Sequence, residues 1–217
     1  MMESMMALSD PRGFTFQSKS SASIRVHRKP KKHLWIKVVI AALLTVGSWQ
    51  VGSSVYLLAK AHLAQYLIAE AWEATRQDGE PHQPWSWADT HPVAKLTFPA
   101  LNETTYVLEG ANGRNMAFGP ARTLTSGMPG QARSTVISAH NDSHFDFLGQ
   151  VKLDDLIDIE TTAGTFRYRV HDLRVVDANQ QQVGINTEDE LILTTCYPFN
   201  SLQTGGSLRY QVTAQRW

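Results

Sequence analysis

The chain all but lacks cysteine. Its one thiol, Cys196, has no partner within the 217 residues, which excludes an internal disulfide framework and a zinc site of the Cys-x-x-Cys kind. Net charge is absent too, at zero formally. That zero conceals a lopsided distribution. Residues 1–59 carry eight Lys or Arg (Arg12, Lys19, Arg25, Arg28, Lys29, Lys31, Lys32, Lys37) against two acids, Glu3 and Asp10. The basic residues sit in a short polar tail and not on a folded face, which argues against nucleic-acid binding. There is no internal repeat, no helical His-Glu-x-x-His and no Asp-x-Asp-x-Asp-Gly loop, so the sequence predicts neither a metal cofactor nor a calcium requirement.

One absence is locally decisive. No Asp or Glu occurs between Asp10 and Glu70, and from Val38 to Ala59 no residue of either charge occurs. As a helix those 22 residues span about 33 Å, close to a bilayer core of about 30 Å. The reading is a basic, disordered cytoplasmic tail over residues 1–33, a transmembrane helix over 34–59, and a helical stalk with a Pro-rich linker over 60–91. The stalk follows from apolar residues at helical spacing (Leu63, Leu67, Ala71 and Ala74, with Tyr66 and Trp72) up to about Gln77. The linker follows from three prolines and a glycine in "DGEPHQPWSWADTHP". Positive residues before the span keep the N-terminus in the cytoplasm and send the C-terminal bulk across.

From residue 92 onward the texture is all-β. Short strands are expected at Ala94–Phe98, Thr105–Leu108, Ser134–Ala139, Leu156–Glu160, Thr165–Asp177, Leu191–Cys196 and Ser207–Ala214, with turn signals between them. Seven or eight such strands with little helix between them predict a closed β-barrel over residues 92–217.

Within "LILTTCYPF" (191–199), alternation puts Ile192, Thr194 and Cys196 on one face and Leu191, Leu193 and Thr195 on the other. In "SLRYQVTA" (207–214), Leu208, Tyr210 and Val212 oppose Arg209 and Gln211. If the two runs are antiparallel neighbours, Cys196 and Arg209 lie side by side. A third run, "TVISAHNDSHF", is a β-branched strand that stops at His140. A thiol near pKa 8.5 is a poor nucleophile until its proton is removed, an imidazole can take or give that proton near neutrality, and a guanidinium can hold an oxyanion. Cys196, His140 and Arg209 are therefore a sufficient set for acyl transfer. Two other readings stand beside it: a buried, inert Cys196, and a metal cluster at His140 and His144 with Asp142 and Asp146.

The ordered combination of "TVISAHNDSHFDFLGQVKLDDLIDIE", "LILTTCYPF" and "GGSLRYQVTA" behind an N-terminal span resembles the sortase family of cysteine transpeptidases. The family's Thr-Leu-x-Thr-Cys signature has Ile192 at its first position here, while Leu193, Thr195 and Cys196 match. The resemblance implies a sortase-like barrel with His140, Cys196 and Arg209 as the catalytic residues and Thr195 and Asp142 in support, through an oxyanion hydrogen bond and the orientation of His140. It also implies a protein substrate with a C-terminal Leu-Pro-x-Thr-Gly-like sorting signal, cleaved at Thr-Gly through a thioester and passed to an amine of unknown identity. "PVAKLTFPALNETTYVLEGANGRNMAFGPA" with "TTCYPF" is similar, more narrowly, to the sortases of Gram-negative bacteria. That implies an inner-membrane enzyme with a periplasmic catalytic domain. The competing functions are a hydrolase using the same three residues and a membrane-anchored peptide-binding module with no chemistry.

Overall fold

The computed structural model describes residues 33–181, 183–201 and 205–217. Apart from His33, the expected cytoplasmic tail lies outside the described residues.

Helix α1 (Leu34–Asp78) contains no proline. It ends where Gly79 takes a left-handed conformation (φ 80°) and its N–H donates to the Thr75 carbonyl at 2.8 Å, a closure that a residue lacking Cβ makes without strain. Its N-terminal part is exposed and apolar, and this is the one described helix long and apolar enough to cross a membrane. The helix expected to run on from the span to about Gln77 does so, ending at Asp78; span and stalk are one continuous element and no separate stalk helix occurs among the described residues, because nothing between Ala59 and Asp78 breaks the hydrogen-bond ladder. Nor does the later part stand free. Ala64, Ile68, Ala71, Trp72 and Thr75 form a buried stripe at helical spacing, Ile68 packs with Leu108 and Ala121, and Gln65 Nε2 donates to the Phe118 carbonyl at 2.6 Å.

The barrel strands are β1 (Pro92–Phe98), β2 (Glu103–Glu109), β3 (Ala121–Arg122), β4 (Thr135–Ser138), β5 (Leu156–Thr161), β6 (Gly164–Asp177), β7 (Glu190–Cys196) and β8 (Leu208–Arg216). They close in the order β1-β2-β3-β4-β7-β8-β6-β5. The pairs β2–β3 and β4–β7 are parallel and the others antiparallel. A short helix α2 (Gly113–Met116), capped by the Asn112 side chain, and a 3-10 turn (Asp146–Gln150) complete the domain.

Alternate residues fill the interior. Leu96, Phe98, Ile137, Ile157, Ile159, Leu191, Leu193 and Val212 belong to one core cluster. Each such large apolar side chain contributes roughly 1.5–3 kcal/mol by leaving water. Two-residue β3 is held from outside this core. Buried Arg122 forms a two-pronged ion pair with the Glu109 carboxylate and donates to the Ser126 carbonyl at 2.7 Å, anchoring β3 to β2 and to the turn beyond it. At one end of the barrel, Gly130 (φ 83°) lies so close under the Phe166 ring that a Cβ would approach it to 2.3 Å. The Gly130 N–H donates to the Tyr168 hydroxyl at 3.0 Å, and that hydroxyl donates to Asp189 at 2.6 Å. The β3–β4 and β6–β7 connections are thereby joined.

Candidate active site

Cys196 is the last residue of β7 and is half-buried. The register of β7 with β8 places it opposite Arg209. Beyond it, the Tyr197 N–H donates to the Leu208 carbonyl at 3.0 Å, which makes that the hydrogen-bonded pair. Cys196 and Arg209 therefore occupy the non-hydrogen-bonded position, where opposite side chains approach most closely. The side-by-side placement expected from alternation is the one observed.

On the other flank of β7, β4 runs parallel, with Ser138 beside Thr194. The pairing continues through the Ala139 N–H to the Thr194 carbonyl at 3.2 Å. His140 follows directly and is exposed at the start of the next loop. The ends of three neighbouring strands thus bring His140, Cys196 and Arg209 to one rim of the barrel. The buried Thr195 hydroxyl donates to the Ala139 carbonyl at 2.7 Å. Asn141 Nδ2 reaches across to the Pro198 carbonyl at 3.0 Å, and the His140 carbonyl accepts from the Phe145 N–H at 3.0 Å. The loop bearing His140 is therefore stitched to the segment bearing Cys196 on both sides of the thiol.

The remaining groups define the surroundings. Arg209 Nη1 donates to the Gly206 and Leu208 carbonyls at 2.7 and 2.9 Å, so the guanidinium also braces the turn that precedes β8. Asp142 is exposed and accepts from the Ser143 hydroxyl at 3.3 Å. The Tyr197 ring stacks on Tyr210 with centroids 6.4 Å apart, and Phe199 meets both rings edge-on. Phe199 also covers Gly149, where a Cβ would come within 3.0 Å of its ring. His144 is partly buried, and that desolvation holds its imidazole below the usual histidine range although it hydrogen-bonds the Ala117 backbone. Among the described residues no three His, Cys, Asp or Glu side chains are grouped to hold a metal ion, so the metal-cluster reading finds no geometry at His140 and His144.

Alternation gave no sign of the Thr195–Ala139 and Asn141–Pro198 hydrogen bonds, because it reports which face a residue occupies and not which strand lies next to it. The parallel neighbour of β7 had no signal in the sequence.

The family described as Sortase domain matches residues 96–217. A curated relative, Sortase D of Bacillus subtilis (strain 168), is 28% identical over 107 residues, 48% of this chain and 54% of that protein. The chain thus spans about half the length of that relative. Among solved structures, Sortase A from Corynebacterium diphtheriae is 25% identical with a TM-score of 0.51, covering 60% of this chain and 63% of that one. A Clostridium perfringens Sortase D5 transpeptidase has a TM-score of 0.58, covering 71% of this chain and 98% of that one; at 16% identity it shows the fold alone. These relatives come from Gram-positive bacteria, which corrects the narrower resemblance to Gram-negative sortases. Of the two stretches that carried it, residues 92–121 form β1, β2, α2 and the start of β3, and "TTCYPF" is the end of β7 with the segment after it.

Proposed function

The chain belongs to the sortase family, and from that premise we propose that it is a membrane-anchored cysteine transpeptidase acting on a C-terminal sorting signal of the Leu-Pro-x-Thr-Gly type. The observation that carries this reading is the close pairing of Cys196 with Arg209 on β7 and β8, with β4 delivering His140 on the opposite flank.

In this mechanism the Cys196 thiolate attacks the carbonyl carbon of the Thr-Gly bond, and the carbonyl oxygen becomes an oxyanion facing the Arg209 guanidinium. Collapse of the tetrahedral adduct breaks the C–N bond. His140 gives a proton to the departing glycine amine, leaving a thioester on Cys196. An acceptor amine then attacks the thioester, loses a proton to His140 and expels the thiolate, restoring the starting state. Thr195 supports the chemistry by position, since its hydroxyl is engaged with the Ala139 carbonyl and fixes the nucleophile strand against the strand that leads to His140. Asp142, exposed on the same loop, is the residue we propose to orient the His140 imidazole.

The test is mass spectrometry of the detergent-solubilised chain incubated with a sorting-signal peptide, with and without an added amine. The expected result is an acyl adduct on the single thiol, absent in Cys196→Ala, and an amide-exchanged product once amine is present. Adduct formation with water-derived product alone would make the protein a hydrolase. Peptide bound without any adduct would make it a binding module.

A further inference from the structure

His140 and Cys196 each lie between two residues that tie their segments together. Before them, the Thr195 hydroxyl donates to the Ala139 carbonyl at 2.7 Å. After them, Asn141 Nδ2 donates to the Pro198 carbonyl at 3.0 Å. The first bond alone would leave the chain beyond Ala139 able to pivot about that point. With the second in place, both neighbours of His140 are fixed against the segment that carries the thiol.

The other side chains of this loop are engaged elsewhere. Ser143 donates to Asp142 at 3.3 Å, a bond within the loop, and His144 turns to the Ala117 backbone. The His140 carbonyl accepts from the Phe145 N–H at 3.0 Å, closing the loop on itself, and buried Phe145, Phe147 and Leu148 hold its far end in the core. Among the described residues, Asn141 is therefore the one side chain between His140 and Phe145 that bonds to the Cys196 segment.

Its acceptor is itself held. Proline restricts its own φ, and on one side of Pro198 the Tyr197 N–H donates to the Leu208 carbonyl at 3.0 Å. On the other side, Phe199 meets Tyr210 edge-on with centroids 5.3 Å apart and covers Gly149. Asn141 is half-exposed, and a hydrogen bond within reach of water adds little to folding. What this bond contributes is geometry. Proton transfer requires hydrogen-bond reach, and a misplacement of about 1 Å can cost on the order of 10²-fold in rate.

We propose that Asn141 is a positioning residue, which through its bond to Pro198 holds the His140 imidazole in register with the Cys196 thiol. The inference rests on the transpeptidase reading above and deepens it. His140 gives a proton to the departing glycine amine and later takes one from the acceptor amine, so loss of the clamp slows both half-reactions and leaves the reactivity of the sulfur itself unchanged.

The experiment uses the full solubilised chain with the peptide Leu-Pro-Ala-Thr-Gly and glycinamide as the amine. Asn141→Leu keeps the approximate size and removes the donor, whereas Asn141→Gln retains it. In Asn141→Leu, thioester formation and its aminolysis should each slow about tenfold, a part of the roughly 10²–10⁴ that a positioned acid-base group supplies. KM for the peptide should stay within about twofold, the signature of an interaction made in the transition state alone. The melting temperature should stay within about 4 °C, and Asn141→Gln should recover most of the rate. Alkylation of Cys196 by chloroacetamide at alkaline pH, which needs no proton donor, should match the parent. Parent-like rates in Asn141→Leu, a loss that tracks a fall in melting temperature, or no recovery in Asn141→Gln would each overturn the positioning role while leaving the transpeptidase intact. Failure of the parent to form a thioester would overturn the mechanism and this role with it.

Discussion

Four residues after His140, His144 turns its ring to the Ala117 backbone, and burial lowers its pKa. His140 pushes in the same direction as burial, whereas the Ala117 backbone, Asp146 and Asp142 oppose it. A base whose folded pKa is depressed takes up its proton more readily in the unfolded chain. Its neutral form is therefore no handicap above pH 6.5, the ordinary histidine value, and stability declines as pH falls through and below that value. The melting temperature should drop between neutrality and pH 5, and His144→Gln should flatten the drop. An unchanged slope in that variant would assign it to other groups.

At the scale of elements, the joint between β4 and β7 is the one on which the site depends. Thr195→Val keeps the shape but strands the buried Ala139 carbonyl, a loss of about 1–3 kcal/mol. Because Ala139 immediately precedes His140, kcat should fall more than KM changes, and Thr195→Ser should restore it. Equal loss in Val and Ser variants would reduce Thr195 to a packing residue. This joint also marks how far the sequence could be read. Period-two alternation revealed seven strands and the Cys196–Arg209 juxtaposition, because each depends on one strand's faces or on an antiparallel neighbour close in the chain. It missed β3, whose two residues are too few to show a period and whose stability comes from the Arg122–Glu109 ion pair. In α1 the expected apolar stripe is right at Ala71 and Trp72, which are buried, and wrong nearer the span, where Leu63 and Tyr66 are exposed while Ala64 and Ile68 are buried. Apolar side chains surround the helix there, and contact with Leu108 and Ala121 selects among them.

For the whole molecule, the basic excess before α1 supports the proposal that the barrel lies on the extracytoplasmic side of the membrane. The single thiol reports on this directly. A membrane-impermeant maleimide should label Cys196 on cells whose membrane surface is accessible, and should require permeabilisation in inverted vesicles. The opposite pattern would reverse the topology. A closer constraint comes from α1 itself. The uncharged run ends at Ala59 and the stripe buried against the barrel begins at Ala64, an interval of about 8 Å of helix. If the chain is the transpeptidase proposed above, anchoring and barrel packing by one helix make its encounter with membrane-tethered clients a two-dimensional search, which should favour them over clients released into bulk solution.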